Sequence, residues 1–143
     1  MAYQRVLVPI NGSIGDEHAL RVVFGLPRRG RAMIHVMYVV EVPQALPLDA
    51  ELPEEIQRGE QALQHCEAIG QAERVTIEAE LLQARHAGTA IVDEARQRGA
   101  DLIVISVEGR QRRGEFSLGR SAPYVLKNAA CEVWVLRRPQ PPA

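Results

Sequence analysis

Aromatic residues are scarce in this 143-residue chain: two Phe, three Tyr and one Trp make up 4% of it. Tyr3, Phe24, Tyr38, Phe116, Tyr124 and Trp134 are spread out, so no stacking platform for nucleic-acid bases is legible. A bias of charge is missing too. Lys and Arg number 17 against 18 Asp and Glu, and the formal net charge of −1 gives no pull towards nucleic acid or an anionic membrane. No apolar run approaches the roughly 20 residues of a membrane span. The opening MAYQRVLVPI lacks the long apolar core and cleavage site of a signal peptide. Cysteine is nearly absent. Cys66 and Cys131 form no CxxC pair and read as reduced thiols of a cytoplasmic protein. No GxxxxGKS or GxxxxGKT run occurs, so a P-loop lysine is lacking and fast ATP hydrolysis is not expected. His18, His35, His65 and His86 have no ligand spacing, which predicts no metal site, and His35 reads as a packed or edge histidine. Ser13 and Ser121 read as helix caps rather than nucleophiles.

What is present is a regular alternation. Arg5-Val6-Leu7-Val8-Pro9-Ile10 is a first apolar strand with Pro9 at its carboxyl end, and Asn11-Gly12-Ser13 supplies a turn. Ser13 and Asp16 resemble a capping box at the start of a helix over 14–26, and Gly30 breaks the connection. A second strand covers 32–42. The proline-rich segment from Pro43 to Pro53 reads as a surface loop or lid over one end of the sheet. A helix over 54–69 is closed by Gly70, and Val75, Ile77, Ala79 and Leu81 alternate with polar residues as in a half-exposed edge strand. A helix over 89–98 ends at Gly99. Leu102-Ile103-Val104-Ile105 is a buried strand, followed by a long loop and helix 122–128. Glu132 to Arg137 is the last strand, its apolar residues needing cover on both faces and along its edge. For Trp134 the plain alternative is packing under that last helix. Strict β-α alternation predicts an α/β fold with a five-stranded parallel open sheet and helices on both faces, in one domain over 1–143.

The stretch ADLIVISVEGRQRRGEFSLGRS, residues 100–121, carries the chemistry. A buried strand, a loop with Gly109, Gly114 and Gly119, and a helix start at Ser121 are the ingredients of an anion cradle: glycine lets the backbone approach a phosphate, and unpaired helix N–H groups point at it. Arg110, Arg112, Arg113 and Arg120 outnumber Glu108 and Glu115 there, which favours an anionic ligand. A solvated loop that uses arginine for solubility is the plain alternative.

Three segments, RVLVPINGS, GTAIVDEARQRGADLIVIS and LGRSAPYVLKNAACEVWVLR, together resemble the universal stress protein superfamily over nearly the whole chain. The resemblance implies a Rossmann-like sheet in the order 3-2-1-4-5, a homodimer along the last strand, Glu132 to Arg137, and a ligand crevice between strands 1 and 4. ATP-binding members carry Gly-x2-Gly-x9-Gly-Ser/Thr after the fourth strand. On this chain the motif falls on Ser106, Gly109, Gly119 and Arg120, so the first glycine and the final hydroxyl are replaced. Asn11 stands where binders have an aspartate, and Val39 matches the adenine wall. The implied site is Pro9, Ile10, Asn11, Val39, Ile105, Ser106, Gly109, Gly119, Arg120 and Ser121, with an adenine nucleotide (ATP, ADP or AMP, with or without Mg²⁺) as ligand. The implied role is a small cytoplasmic regulator with an unidentified protein partner, without catalytic residues, nucleic-acid binding or membrane insertion. The three departures support a second reading, a nucleotide-free interaction module, and the resemblance also allows the regulatory domain of a larger protein such as a transporter. A slow ATPase or phosphotransferase is a third reading, against which the absent P-loop lysine and the lack of an evident base count.

Overall fold

The computed structural model describes residues 2–108, 110–112, 115–117 and 119–138, without the side chains of 28–31 and 110–117. Its elements are β1 (Tyr3–Ile10), α1 (Gly15–Phe24), β2 (Arg28–Glu41), α2 (Pro53–Ala72), β3 (Ile77–Ala84), α3 (Ala87–Arg98), β4 (Leu102–Val107), β5 (Arg110–Arg112), β6 (Glu115–Ser117), α4 (Ser121–Asn128) and β7 (Glu132–Arg137). The main sheet has five parallel strands in the order β3-β2-β1-β4-β7, which is the expected 3-2-1-4-5. The difference is a small antiparallel hairpin, β5-β6, within the stretch read as a loop.

Period-two alternation divides the core between the two faces. Val6 and Val8 of β1, Ile34 and Val36 of β2, and Leu102 and Val104 of β4 pack against Leu20 and Val23 of α1 and Leu63 and Cys66 of α2. Leu7, Met37, Ile103 and Ile105 point the other way, onto Ile91, Val92 and Ala95 of α3 and Ala122 and Val125 of α4. The central strands are therefore apolar on both sides, as a parallel sheet under two helix layers requires. Among the described residues no helix is long and apolar enough to cross a membrane.

Several boundaries and caps differ from expectation, each for a local reason. Strand β2 begins at Arg28 rather than at 32, because it takes in Gly30 at a register shift between the Tyr3–Arg28 and Arg5–Met33 pairs. Helix α2 runs past Gly70 to Ala72. A Cβ on Gly70 would lie 2.7 Å from Ile77 Cδ1 and 2.9 Å from the Val75 carbonyl oxygen, so this glycine serves close packing. The chain reverses instead at Arg74, φ +58°. The Pro43–Pro53 loop is held to β3 rather than hinged as a lid. Arg85 Nη1 donates to the carbonyls of Pro43 (2.6 Å) and Leu46 (2.7 Å), and Gln83 Nε2 to that of Leu48 (2.7 Å). Trp134 packs against the α1/α2 face with its ring edge-on to Tyr3, while Val133 and Val135 face α3 and α4, so it does not lie under α4.

The capping box does not form. Ser13 Oγ accepts from the N–H of Gly15 (3.3 Å), and the N-cap position is Ile14. Asp16 instead reaches back past Ser13 to the N–H groups of Asn11 (3.2 Å) and Gly12 (2.8 Å). Ser121 is the first residue of α4 rather than its cap, a place taken by Arg120.

Candidate functional site

The site lies where β1 stops pairing with β4. Those strands are in register at Val6–Leu102 and Leu7–Ile103, whereas β1 and β2 stay paired as far as Ile10–Tyr38. Beyond Leu7 and Ile103 a crevice of about 390 Å³ opens at the carboxyl ends of the strands. The chain leaves β1 for α1 on one face of the sheet, and after β4 it reaches α4 on the other. That reversal of winding is the place where open α/β sheets take their ligands.

Of the ten site residues expected from sequence, nine line this crevice: Pro9, Ile10, Asn11, Val39, Ile105, Ser106, Gly119, Arg120 and Ser121. Gly109 lies outside the described residues. Of the four arginines in the basic loop, only Arg120 has a described side chain, so the expected cationic excess is not assessed by the described groups. The crevice also takes in residues the sequence reading passed over, notably Tyr38, Glu41, Ala87, Ile91 and Glu108. Glu41 was findable, since it stands two residues after Val39 and so on the same face of β2. Ala87 and Ile91 come from α3, which only the tertiary fold brings alongside.

Each departure from the glycine motif has a structural accommodation. The Ser106 hydroxyl sits against Gly15, the first residue of α1, where an added Cβ would lie 2.2 Å from Ser106 Oγ and 3.1 Å from its Cβ. No left-handed backbone is demanded of Ser106, because among the described non-glycine residues only Arg74 has positive φ. Gly119 does need that freedom: its φ is +77°, and nothing lies within 4 Å of where a Cβ would stand.

Asn11 accepts with Oδ1 from the Ser13 N–H (3.0 Å), closing a local turn, so what it offers a ligand is chiefly its amide N–H groups. The turn is locked from below by Asp16, which is buried. Burial pushes the Asp16 carboxyl above its ordinary value, against the opposing pull of the Asn11 and Gly12 N–H groups.

Charge in the crevice centres on one contact. Arg120, with its side chain 88% exposed at the head of α4, places Nη2 3.8 Å from Glu41 Oε1. The other oxygen of that carboxylate, Oε2, accepts from the Ala87 N–H at the start of α3 (2.9 Å). The α4 N-terminus has no side-chain cap, leaving its first N–H groups available to an anion.

Outside the crevice, His35 Nε2 lies 3.0 Å from Glu80 Oε2, and with Glu94 these residues place three ligand-type atoms within 4.8 Å of one another. Arg98 already occupies that setting. Its Nε donates to Glu94 (2.6 Å) and its Nη2 to Glu80 (2.8 Å), supplying the positive charge the carboxylates require. The two cysteines are unpaired, and burial pushes the Cys66 thiol up to about 12, which makes it a poor nucleophile.

The comparisons agree with this architecture. The model of the Universal stress protein family matches residues 2–137. The universal stress protein MJ0531 of Methanocaldococcus jannaschii is 29% identical over 144 residues, covering 96% of this chain and 84% of that protein. Among solved structures, a universal stress protein in complex with cAMP superposes with a TM-score of 0.70 at 19% identity, over 95% of this chain and 98% of that one. The universal stress protein of Archaeoglobus fulgidus in complex with dAMP gives 0.68 at 21% identity, over 94% and 98%. A match along almost the whole length, on a sheet of the same strand order, makes this chain a member of the universal stress protein family.

Proposed function

We propose that the crevice binds an adenine nucleotide and that the protein acts as a small cytoplasmic regulator by binding rather than by catalysis. The observation that carries the reading is convergence. Nine of the ten residues implied by the resemblance, among them Ser106, Gly119 and Arg120 from the glycine motif, line one cavity at the point where the sheet changes winding direction. Val39 supplies an apolar wall for the base, Asn11 donors for the ribose, and Gly119 with the uncapped α4 terminus an approach for phosphate. The solved relatives held cAMP and dAMP, a chemistry this cavity would accommodate in kind. The sequence has no P-loop to supply a dedicated hydroxyl for Mg²⁺. In this reading two copies pair along β7, and the bound state is passed on to a protein partner.

A nucleotide-free interaction module is the second reading. It is favoured by the use of Asn11 Oδ1 inside its own turn and by the in-built carboxylate on Arg120. The deciding experiment is to denature freshly purified protein and analyse the supernatant by chromatography and mass spectrometry. Stoichiometric AMP, ADP or ATP establishes a working site. No nucleotide released, followed by no heat on titrating AMP, ADP or ATP with and without Mg²⁺, favours the interaction module.

A further inference from the structure

We infer that Glu41 opposes each phosphate beyond the first in the crevice, lowering affinity for ADP and ATP relative to an adenine ligand with no phosphate or one. This inference rests on the adenine-nucleotide reading of the crevice. Glu41 ends β2 two residues after the base-wall position Val39, and its side chain is 42% exposed at the mouth of the cavity. Its carboxylate takes up two groups that a phosphate would otherwise use. Oε2 accepts the first N–H of α3, a 12-residue helix with no side-chain cap of its own, and Oε1 faces Arg120 Nη2. Arg120 stands at the N-cap of α4 and Glu41 at the end of β2, so the pair spans the opening from one wall to the other. The charged side chains described around the cavity are Glu41, Glu108 and Arg120.

The competition that follows is electrostatic. A single phosphate near Arg120 displaces the Glu41 contact, an exposed pair at 3.8 Å that is itself weak. Arg120 then exchanges one anionic partner for another, and the phosphate gains most of a charge-assisted hydrogen bond. Each additional phosphate adds charge beside a carboxylate held in place by the Ala87 N–H. With Glu41 charged, the gain in affinity from each further phosphate should therefore be smaller than without it.

Glu41→Gln tests this with little change of shape, because the amide oxygen can still accept from Ala87 while the charge is gone. Adenosine, AMP, ADP and ATP are titrated calorimetrically into both proteins without Mg²⁺, with circular dichroism as the check on folding. In Glu41→Gln the ATP-to-AMP affinity ratio should rise about tenfold over that of the unaltered protein, because one like charge is removed from beside the further phosphates, with adenosine affinity changed less than about twofold. Arg120→Gln should weaken AMP more than adenosine and so locates the first phosphate. A ratio unchanged by Glu41→Gln, or an equal gain for adenosine and ATP, overturns the role of Glu41 and leaves the nucleotide site standing. Failure of all four ligands to bind either protein overturns the nucleotide reading and this inference with it.

Discussion

At the scale of single residues, Gly119 in the site and Gly15 packed against Ser106 are required for different reasons, and substitution separates them. Gly119 has open space around it but a φ of +77°, so Gly119→Val strains the backbone without crowding anything. A β-branched residue held left-handed costs about 1–2 kcal/mol, and the loop is expected to relieve it by turning away from the crevice. Nucleotide affinity should be lost while the far-UV spectrum is kept, and unchanged affinity by calorimetry would remove Gly119 from the site. Gly15 has an ordinary φ and no space. Gly15→Ala drives a methyl into Ser106, where the hydroxyl can rotate away but the Cβ at 3.1 Å cannot. A loss of about 1–3 kcal/mol is expected in urea unfolding, as for other overpacked sites. Adding Ser106→Gly should recover most of it. Additive losses in the double variant would show that the two residues are not coupled. Ser106 illustrates what the sequence could and could not say: its departure from the glycine motif was visible in the spacing, but the partner that makes room for it, Gly15, is remote in sequence and meets it only in the fold. The contact between Glu41 and Ala87 is hidden in the same way, although Glu41 itself could be found from the same-face spacing to Val39.

At the scale of elements, strands and helices with a full period of apolar residues were legible, because burial on one face or two leaves a repeat of two or of 3.6. The β5-β6 hairpin was not, since strands of three residues are too short to show a repeat and RQR carries no apolar residue at all. The end of α2 was misplaced because glycine there answers to packing rather than to chain reversal. Between α3 and β3 lies an electrostatic tie with a defined pH signature. Burial raises the Glu80 carboxyl, but the hydrogen bonds from Arg98, and then those with Glu94 and His35, take it below its ordinary value of 4.5. A group with a lowered folded value stabilises the protein above the unfolded value and loses that contribution as pH falls through the folded one. Between those two values the unfolded chain holds more protons, so stability from this tie rises with pH. Arg98→Gln is expected to cost about 1 kcal/mol at pH 7, a figure kept small because the pair is partly open to solvent. Measured by urea unfolding from pH 7 down to pH 3, the gap between variant and parent should close towards the acid end. A gap that is constant across that range would mean Arg98 acts through packing alone.

The whole molecule presents two sheet edges that are not equivalent, and the difference bears on how copies associate. On the β3 edge, Glu78 and Glu80 alternate with apolar residues and are held by Arg98, so the strand is guarded by charge. On the opposite edge β7 reads EVWVLR. Its charges are confined to Glu132 and Arg137, and Val133, Trp134, Val135 and Leu136 between them are half-buried. Glu132 is further engaged by the Tyr3 hydroxyl and the Trp134 indole N–H, which hold its carboxylate over its own strand. An apolar edge with unpaired backbone groups invites a second strand, and in a symmetric dimer the most economical partner is β7 of another copy. The protein is therefore expected to sediment as a dimer at micromolar concentration. Val135 is half-buried towards α3 and α4, so in Val135→Lys the long side chain must carry its ammonium out past the strand edge, at the middle of that seam, while β7 keeps its register with β4, where Ile105 is its partner. The expected result is the mass of one chain with an unchanged far-UV spectrum. Retention of the dimer in Val135→Lys would move the interface away from β7, and a monomeric parent protein would show that this edge is covered by something other than itself.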